Sequence, residues 1–234
     1  MLTQRLSRPL AVGVVVVVIA GGAAGIVSAA SSSGSAGAGT GQTATTGSGA
    51  QAGSNARSGP AAGGVVGRVS GVSTSSFTVS TSAGEKVTVE KASSTTYRKG
   101  TRSISARVVT KGMRVLVLGT VNATTITATQ VVVHPAGGRS ATFSPSKVIP
   151  FTRGAPTTSQ QDGRIPANYS EGSGTIVSGT TANKATTAAL ATYPGGLVDR
   201  VVKLSNGEYE VHNIGVNWPH HIFVNTSFKV IGAN

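Results

Sequence analysis

The chain has 234 residues, 32 glycines, no cysteine, and 20 lysines and arginines against 7 aspartates and glutamates, for a formal net charge of +13. The lack of cysteine excludes a disulfide framework, a thiolate nucleophile and a cysteine-ligated metal site. Charge and glycine are distributed unevenly, so the sequence divides into segments of different kinds.

Residues 1–30 have the form of a signal peptide or a transmembrane anchor. Arg5 and Arg8 precede an uncharged, largely apolar stretch at 10–27. That stretch reaches the lower length limit for crossing a bilayer core of about 30 Å. Small residues at 27–30 also fit a signal peptidase site. An uncleaved anchor with its N-terminus inside and a cleaved signal both stay open, and both place the rest of the protein outside the cytoplasm, membrane-anchored or secreted.

Residues 31–64 consist almost entirely of Ala, Gly, Ser and Thr. Such a segment buries too little apolar area to offset the entropy of ordering it. The sequence therefore predicts a disordered tether.

Residues 65–135 show short runs of alternating apolar and polar residues separated by turn residues. Strands are predicted at 65–72, 76–81, 86–90, 113–121 and 125–133, with a turn or two of helix at 104–109. This order of elements predicts a small closed β-barrel of the OB type.

The same segment resembles the bacterial DUF5666 domain. The resemblance is carried by Gly67-Arg68-Val69, Phe77-Thr78-Val79, Thr95-Thr96-Tyr97, Lys111-Gly112-Met113-Arg114-Val115 and the closing run 126–132. Met113 stands where the family pattern more often has Asp. The shared motifs mark strand faces and turns, so the resemblance implies a fold and assigns no function.

Basic residues concentrate in this segment, which holds nine lysines and arginines against Glu85 and Glu90. The candidate anion-binding residues lie within 98–114, with no acid between them: Arg98, Lys99, Arg102, Arg107, Lys111 and Arg114. They predict binding of an anionic envelope polymer or of lipid headgroups, and a simple solvated basic face is the alternative. Nucleic acid is disfavoured because stacking on bases needs aromatic side chains, of which the segment has only Phe77 and Tyr97.

Residues 136–174 are rich in turn residues and read as a linker, with one short strand predicted at 147–151. Residues 175–234 predict an α+β domain. A helix at 182–192, with Thr180 or Thr181 as N-cap, precedes a hairpin of strands 197–204 and 208–214 across Asn206-Gly207. A second hairpin is predicted from 222–225 and 228–231.

This C-terminal segment resembles the PepSY family. The carrying residues are the alanine-rich helix, Tyr193-Pro194-Gly195-Gly196, Gly207-Glu208-Tyr209-Glu210-Val211-His212 and Phe228-Lys229-Val230-Ile231-Gly232. The stretch Asn217-Trp218-Pro219-His220-His221 departs from the family pattern. The resemblance implies a helix on an antiparallel sheet and an extracytoplasmic binding role, including restraint of peptidases.

Catalytic groups are sparse in the sequence. Alternation places Glu208, Glu210 and His212 on one side of a strand. With His220 and His221 beside them they would form a site of two histidines and a carboxylate, but no ligand-spacing motif supports one. The sequence therefore predicts no metal, no cofactor and no enzymatic activity. Trp218, His220 and His221 are candidate partner-binding residues, and a staple that fixes the loop to the sheet is the alternative for Trp218.

Together these features predict a non-enzymatic extracytoplasmic envelope protein, which binds an anionic envelope component, a protein partner, or both. The alternative is a regulator or inhibitor of a secreted peptidase that acts through the C-terminal domain.

Overall fold

The computed structural model describes residues 60–134 and 148–234, all of which fall within one compact unit. The segment 1–30, residues 31–59 of the tether predicted at 31–64, and residues 135–147 lie outside these ranges. None of the helices in the described ranges is long and apolar enough to cross a membrane.

The described chain is mainly β, with one α-helix. The elements in order are β1 (Ala61–Val72), β2 (Ser76–Ser80), β3 (Lys86–Lys99), β4 (Arg102–Ser103), a 3-10 helix (Ala106–Val108), β5 (Arg114–Asn122), β6 (Thr125–Val133), β7 (Ile149–Pro150), β8 (Asp162–Gly163), β9 (Thr175–Ile176), α1 (Gly179–Thr192), β10 (Leu197–Lys203), β11 (Tyr209–Ile214), β12 (Val216–Trp218), β13 (His221–Val224) and β14 (Val230–Ala233).

Five strands close into a small barrel. β1 pairs with β2, β2 with β3, β3 with β6 in parallel, β6 with β5, and β5 again with β1. Alternate residues of these strands fill the interior, among them Val79, Val117 and Ile126, each 0% exposed. The predicted closed barrel is therefore confirmed, as is the short helical turn between its third and fourth long strands.

The second half is an antiparallel sheet in the order β10, β11, β13, β14, with α1 on one face. The helix buries Ala182, Ala185, Ala189 and Leu190 in a core that also contains Val201 and Val211. The hairpin across Asn206-Gly207 is confirmed. The predicted short strand near 147–151 is present as β7, which pairs with β12.

The two halves share a sheet and a core. β1 pairs with β10 at Gly64 and Val65, opposite Val198 and Leu197. In β5, Val115 and Val117 point into the barrel, whereas Leu116 and Leu118 lie in the core beneath α1. The segments predicted as separate modules at 65–135 and 175–234 are thus joined by hydrogen bonds and by packing within the described residues.

Several predicted boundaries need correction. The tether was predicted to run to Gly64, but Ala61–Gly64 belong to β1. The glycines that suggested a tether are required by packing, since the backbone of β10 leaves no room for a side chain at Gly63 and that of β5 leaves none at Gly64. The helix begins at Gly179 after Ser178, and the Ser178 side chain makes no capping hydrogen bond. The last strand begins at Val230, after a turn in which Asn225 Oδ1 accepts from the backbone of Ser227 and Lys229.

Candidate functional site

The structure distributes the six predicted anion-binding residues over three places. Arg98, Lys99 and Arg102 are exposed where β3 turns into β4. Arg107 and Lys111 are exposed at and just after the 3-10 helix. Arg114 is half-buried in β5 opposite Arg68. Burial, and secondarily the charge of Arg114, lowers the pKa of His134. Of these six residues, Arg107 and Lys111 border the groove described next.

An open groove of about 980 Å³ runs along the barrel between the β1–β2 turn, the middle of β3 and the 3-10 helix. Lys91, Arg107 and Lys111 border it, and none of its lining residues is acidic. The Lys91 ammonium donates to the backbone oxygen of Ser73 at 2.6 Å, which holds that cation at the rim. The groove thus combines a concave shape with charge of a single sign.

The barrel offers no exposed aromatic platform. Phe77 is 2% exposed and Tyr97 is 9% exposed, because both side chains belong to the barrel core. These are the only aromatic residues between 60 and 134. Stacking on nucleic-acid bases would require such rings at the surface.

A second cluster lies on the face of the C-terminal sheet opposite α1. Arg200 of β10, His212 of β11 and His221 of β13 are paired side by side across the three strands, so their side chains share one face. Glu210 stands two residues before His212 and shares that face. The residues next to these three in sequence are Val201, Val211 and Ile222, which also pair with one another and point to the opposite face, into the core beneath the helix.

Three histidine rings border a common cavity of about 550 Å³ on this face. The ring centroids of His212 and His221 are 5.3 Å apart, and His220 lies 6.3 Å from His212 and 6.5 Å from His221. The 152–171 segment covers part of the face, where the Tyr169 ring packs edge-on against Phe223 with centroids 4.7 Å apart.

Each histidine uses its Nδ1 atom in a hydrogen bond. His212 Nδ1 lies 2.7 Å from Asp199 Oδ1, and His221 Nδ1 lies 2.7 Å from Glu210 Oε1. His220 Nδ1 lies 3.2 Å from the backbone oxygen of Asn213. Since each of these partners is an acceptor, the Nδ1–H groups donate. The Tyr169 hydroxyl also lies 3.0 Å from His221 Nδ1.

Burial controls the charges around this cluster. The Glu210 side chain is 1% exposed and Arg200 is 3% exposed, whereas the Asp199 side chain is 25% exposed. Arg200 Nη1 donates to Asp199 Oδ2 at 3.3 Å. Partial desolvation of its ring, with the nearby His212 next in size, lowers the pKa of His220 although the residue as a whole is exposed, and burial raises the pKa of Tyr169 well above its ordinary value of 10.

Sequence reasoning found part of this cluster. Alternation correctly placed Glu210 and His212 on one face, and the His220-His221 corner does lie beside them. Glu208, by contrast, forms an ion pair with Arg164. Asp199 carried no signal in the sequence: a shift in the β10–β11 register between Val198 and Arg200 turns its side chain toward His212.

Trp218 is buried and does not form part of an exposed surface. The side chain is 1% exposed, its ring packs edge-on against Tyr193, and its Nε1 donates to the backbone oxygen of Gln160 at 2.7 Å. These contacts fix the β12 region to the 152–171 segment, as the staple alternative expects. Of the three candidate partner-binding residues, His220 is exposed and His221 is half-buried.

Comparison of the chain with models of protein families, with curated proteins and with solved structures finds no match.

Proposed function

We propose that this protein is a non-enzymatic binding protein of the bacterial cell envelope, whose barrel holds a polyanion in its basic groove. The observation that carries the proposal is a groove bordered by Lys91, Arg107 and Lys111 with no acidic residue among those that line it. The expected ligand is an anionic envelope polymer or a lipid headgroup. The N-terminal segment 1–30 would hold the protein at the membrane or export it.

We further propose that the barrel is of the OB type and related to DUF5666 domains. Its strand order, with β3 parallel to β6 and a short helix between β3 and β5, supports this assignment. Gly67, which belongs to the motif behind the resemblance, also has a structural reason: a side chain there would overlap the backbone oxygen of Ser80 in β2.

Electrostatics decide what such a groove can bind. Exposed ion pairs contribute about 0.2–1 kcal/mol each, so an isolated phosphate would bind weakly. A polymer that contacts several cations at once gains the sum of these small binding energies and the release of counterions. Added salt should therefore weaken its binding steeply. The buried positions of Phe77 and Tyr97 favour a polyanion without bases over nucleic acid.

The test measures binding of the full chain to soluble polyphosphate at low and moderate salt. Arg107→Glu combined with Lys111→Glu should weaken binding roughly tenfold or more, because each reversal replaces an attraction by a repulsion. The matched control is Arg153→Glu with Lys203→Glu, which changes the net charge equally at exposed positions in the other half of the chain.

A third variant, Arg98→Glu with Arg102→Glu, separates the β3–β4 turn from the groove. If the groove binds the polymer, this variant should lose less affinity than the groove variant. Equal losses in all three variants would indicate nonspecific attraction to a basic protein, and unchanged binding in the groove variant would refute the proposal.

A second candidate function is restraint of a secreted peptidase by the C-terminal half. It is favoured by the helix α1 lying across the antiparallel strands β10, β11, β13 and β14, the arrangement expected of a PepSY-like domain. Adding the purified chain to secreted peptidases of the source organism should slow substrate cleavage. Unchanged cleavage rates at saturating protein would count against this function.

A further inference from the structure

The three histidines that border this cavity each hold one ring nitrogen in a hydrogen bond. Their Nδ1 atoms are held by Asp199, Glu210 and the Asn213 carbonyl. Within residues 60–134 and 148–234, none of the three Nε2 atoms makes a hydrogen bond. His212, His220 and His221 all border the same cavity.

This pattern is the one that metal-binding histidines show. A ligating imidazole usually donates its other ring N–H to a carboxylate or a backbone carbonyl, which fixes the tautomer and leaves a lone pair for the metal. Two carboxylates and one carbonyl supply that support here. The side chains of His212 and His221 are only 15% and 13% exposed, so their rings are already held in place.

The spacing of the rings is close to what one ion requires. Two imidazoles bound to a tetrahedral zinc ion at about 2.0–2.1 Å have centroids roughly 5 Å apart. His212 and His221 meet this at 5.3 Å, whereas the distances to His220 are 6.3 and 6.5 Å. Accordingly, no three such side chains in the described ranges have the full geometry of a metal site. His220 is the exposed member of the three and would have to move inward by about 1 Å.

We propose that His212, His220 and His221 bind one divalent transition-metal ion of the zinc class. Imidazole nitrogen suits Zn²⁺, Cu²⁺ and Ni²⁺ and disfavours Mg²⁺ and Ca²⁺, which prefer oxygen. Glu171 borders the cavity and supplies a fourth ligand, or leaves that position to water. The carboxylates of Asp199 and Glu210 offset the charge of the ion, while Arg200 opposes it and limits the affinity.

The inference is independent of polyanion binding by the barrel, because the two sites lie in different halves of the chain. The test uses the full chain, freed of metal by a chelator and titrated with Zn²⁺ in a calorimeter. We expect one ion per chain and a rise in the thermal midpoint of unfolding with zinc. Mg²⁺ at the same concentration should give neither effect.

Variants locate the site. His220→Gln changes an exposed residue, so the fold should be retained, and zinc affinity should fall at least tenfold. Asp199→Ala removes the acceptor behind His212 and should cost about 10–100-fold in affinity. The control is His134→Gln, which alters the remaining histidine of the chain, in the barrel, and should leave zinc binding unchanged.

Two outcomes would overturn the proposal. One is the absence of stoichiometric zinc binding by the wild-type chain. The other is equal loss in His134→Gln and His220→Gln, which would indicate scattered surface binding. Circular dichroism of each variant, recorded before titration, shows that a loss of binding is not a loss of fold.

Discussion

At the scale of single residues, the join between the two halves depends on Gly63. A Cβ atom at this position would overlap the backbone oxygen of Val198 in β10. Neither strand can yield without disturbing the pairing of Gly64 with Val198. A residue that composition alone assigns to a flexible tether is therefore a packing requirement of the sheet.

We expect Gly63→Ala to lower the free energy of unfolding by about 1–3 kcal/mol, the usual cost of overpacking. Gly71→Ala is the matched control in the same strand, because a Cβ atom there meets nothing within 4 Å. Its effect should be neutral or slightly stabilising, by about 0.4–1 kcal/mol. Urea unfolding monitored by circular dichroism measures both, and equal effects would show that β1 and β10 are not in close contact.

The histidine cluster shows how far single residues can be read from the sequence. Alternation along β11 is a local property, and it placed Glu210 and His212 correctly. The contribution of Asp199 depends on an irregularity of pairing between β10 and β11, and that of Tyr169 depends on a loop that returns across the sheet. Neither is encoded in local spacing, so the hydrogen-bond pattern behind the three histidines emerges only in three dimensions.

At the scale of elements, local sequence patterns predicted most strands and the helix, but beyond the hairpins they did not predict which elements pack or pair with one another. The run Val115 to Leu118 is apolar without alternation, which indicates a strand buried on both faces. The sequence does not show that its second face packs beneath α1. Likewise β8 has only two residues, too short for any periodicity, yet it pairs with β14.

The alanine-rich face of α1 has a consequence that can be tested. Ala189 is fully buried in the core that the helix shares with the sheet, and Ala191 is exposed on the same helix. Ala189→Leu should destabilise the protein by about 1–3 kcal/mol because the helix would have to move off the sheet. Ala191→Leu should change the free energy of unfolding by less than about 0.5 kcal/mol, since alanine and leucine are both good helix formers and the position is exposed.

The measurement is again urea unfolding, with the slope of the transition compared between the two variants. An unchanged slope with a lower midpoint identifies a loss of stability rather than a change in the unfolded state. If Ala189→Leu were tolerated as well as Ala191→Leu, the close seating of the helix would be refuted.

At the scale of the whole molecule, the shared sheet and core imply shared stability. β1 is both a barrel strand and the neighbour of β10, and β5 contributes side chains to the barrel interior and to the core beneath α1. Separating the halves would expose apolar side chains, because Leu116 and Leu118 of the barrel strand β5 are buried in the core beneath α1. The described chain should therefore unfold as one unit.

Trp218 provides a local probe for this prediction. It is the single tryptophan of the chain and is buried in the C-terminal half, against Tyr193. Ile126 lies in the barrel core, in β6, which pairs with the barrel strands β3 and β5. Ile126→Ala should cost about 2–5 kcal/mol. If the halves unfold together, this barrel substitution lowers the urea midpoint of Trp218 fluorescence as much as that of circular dichroism. A fluorescence transition that stays at its wild-type midpoint while part of the circular dichroism signal is lost at lower urea would instead establish two independently folding domains.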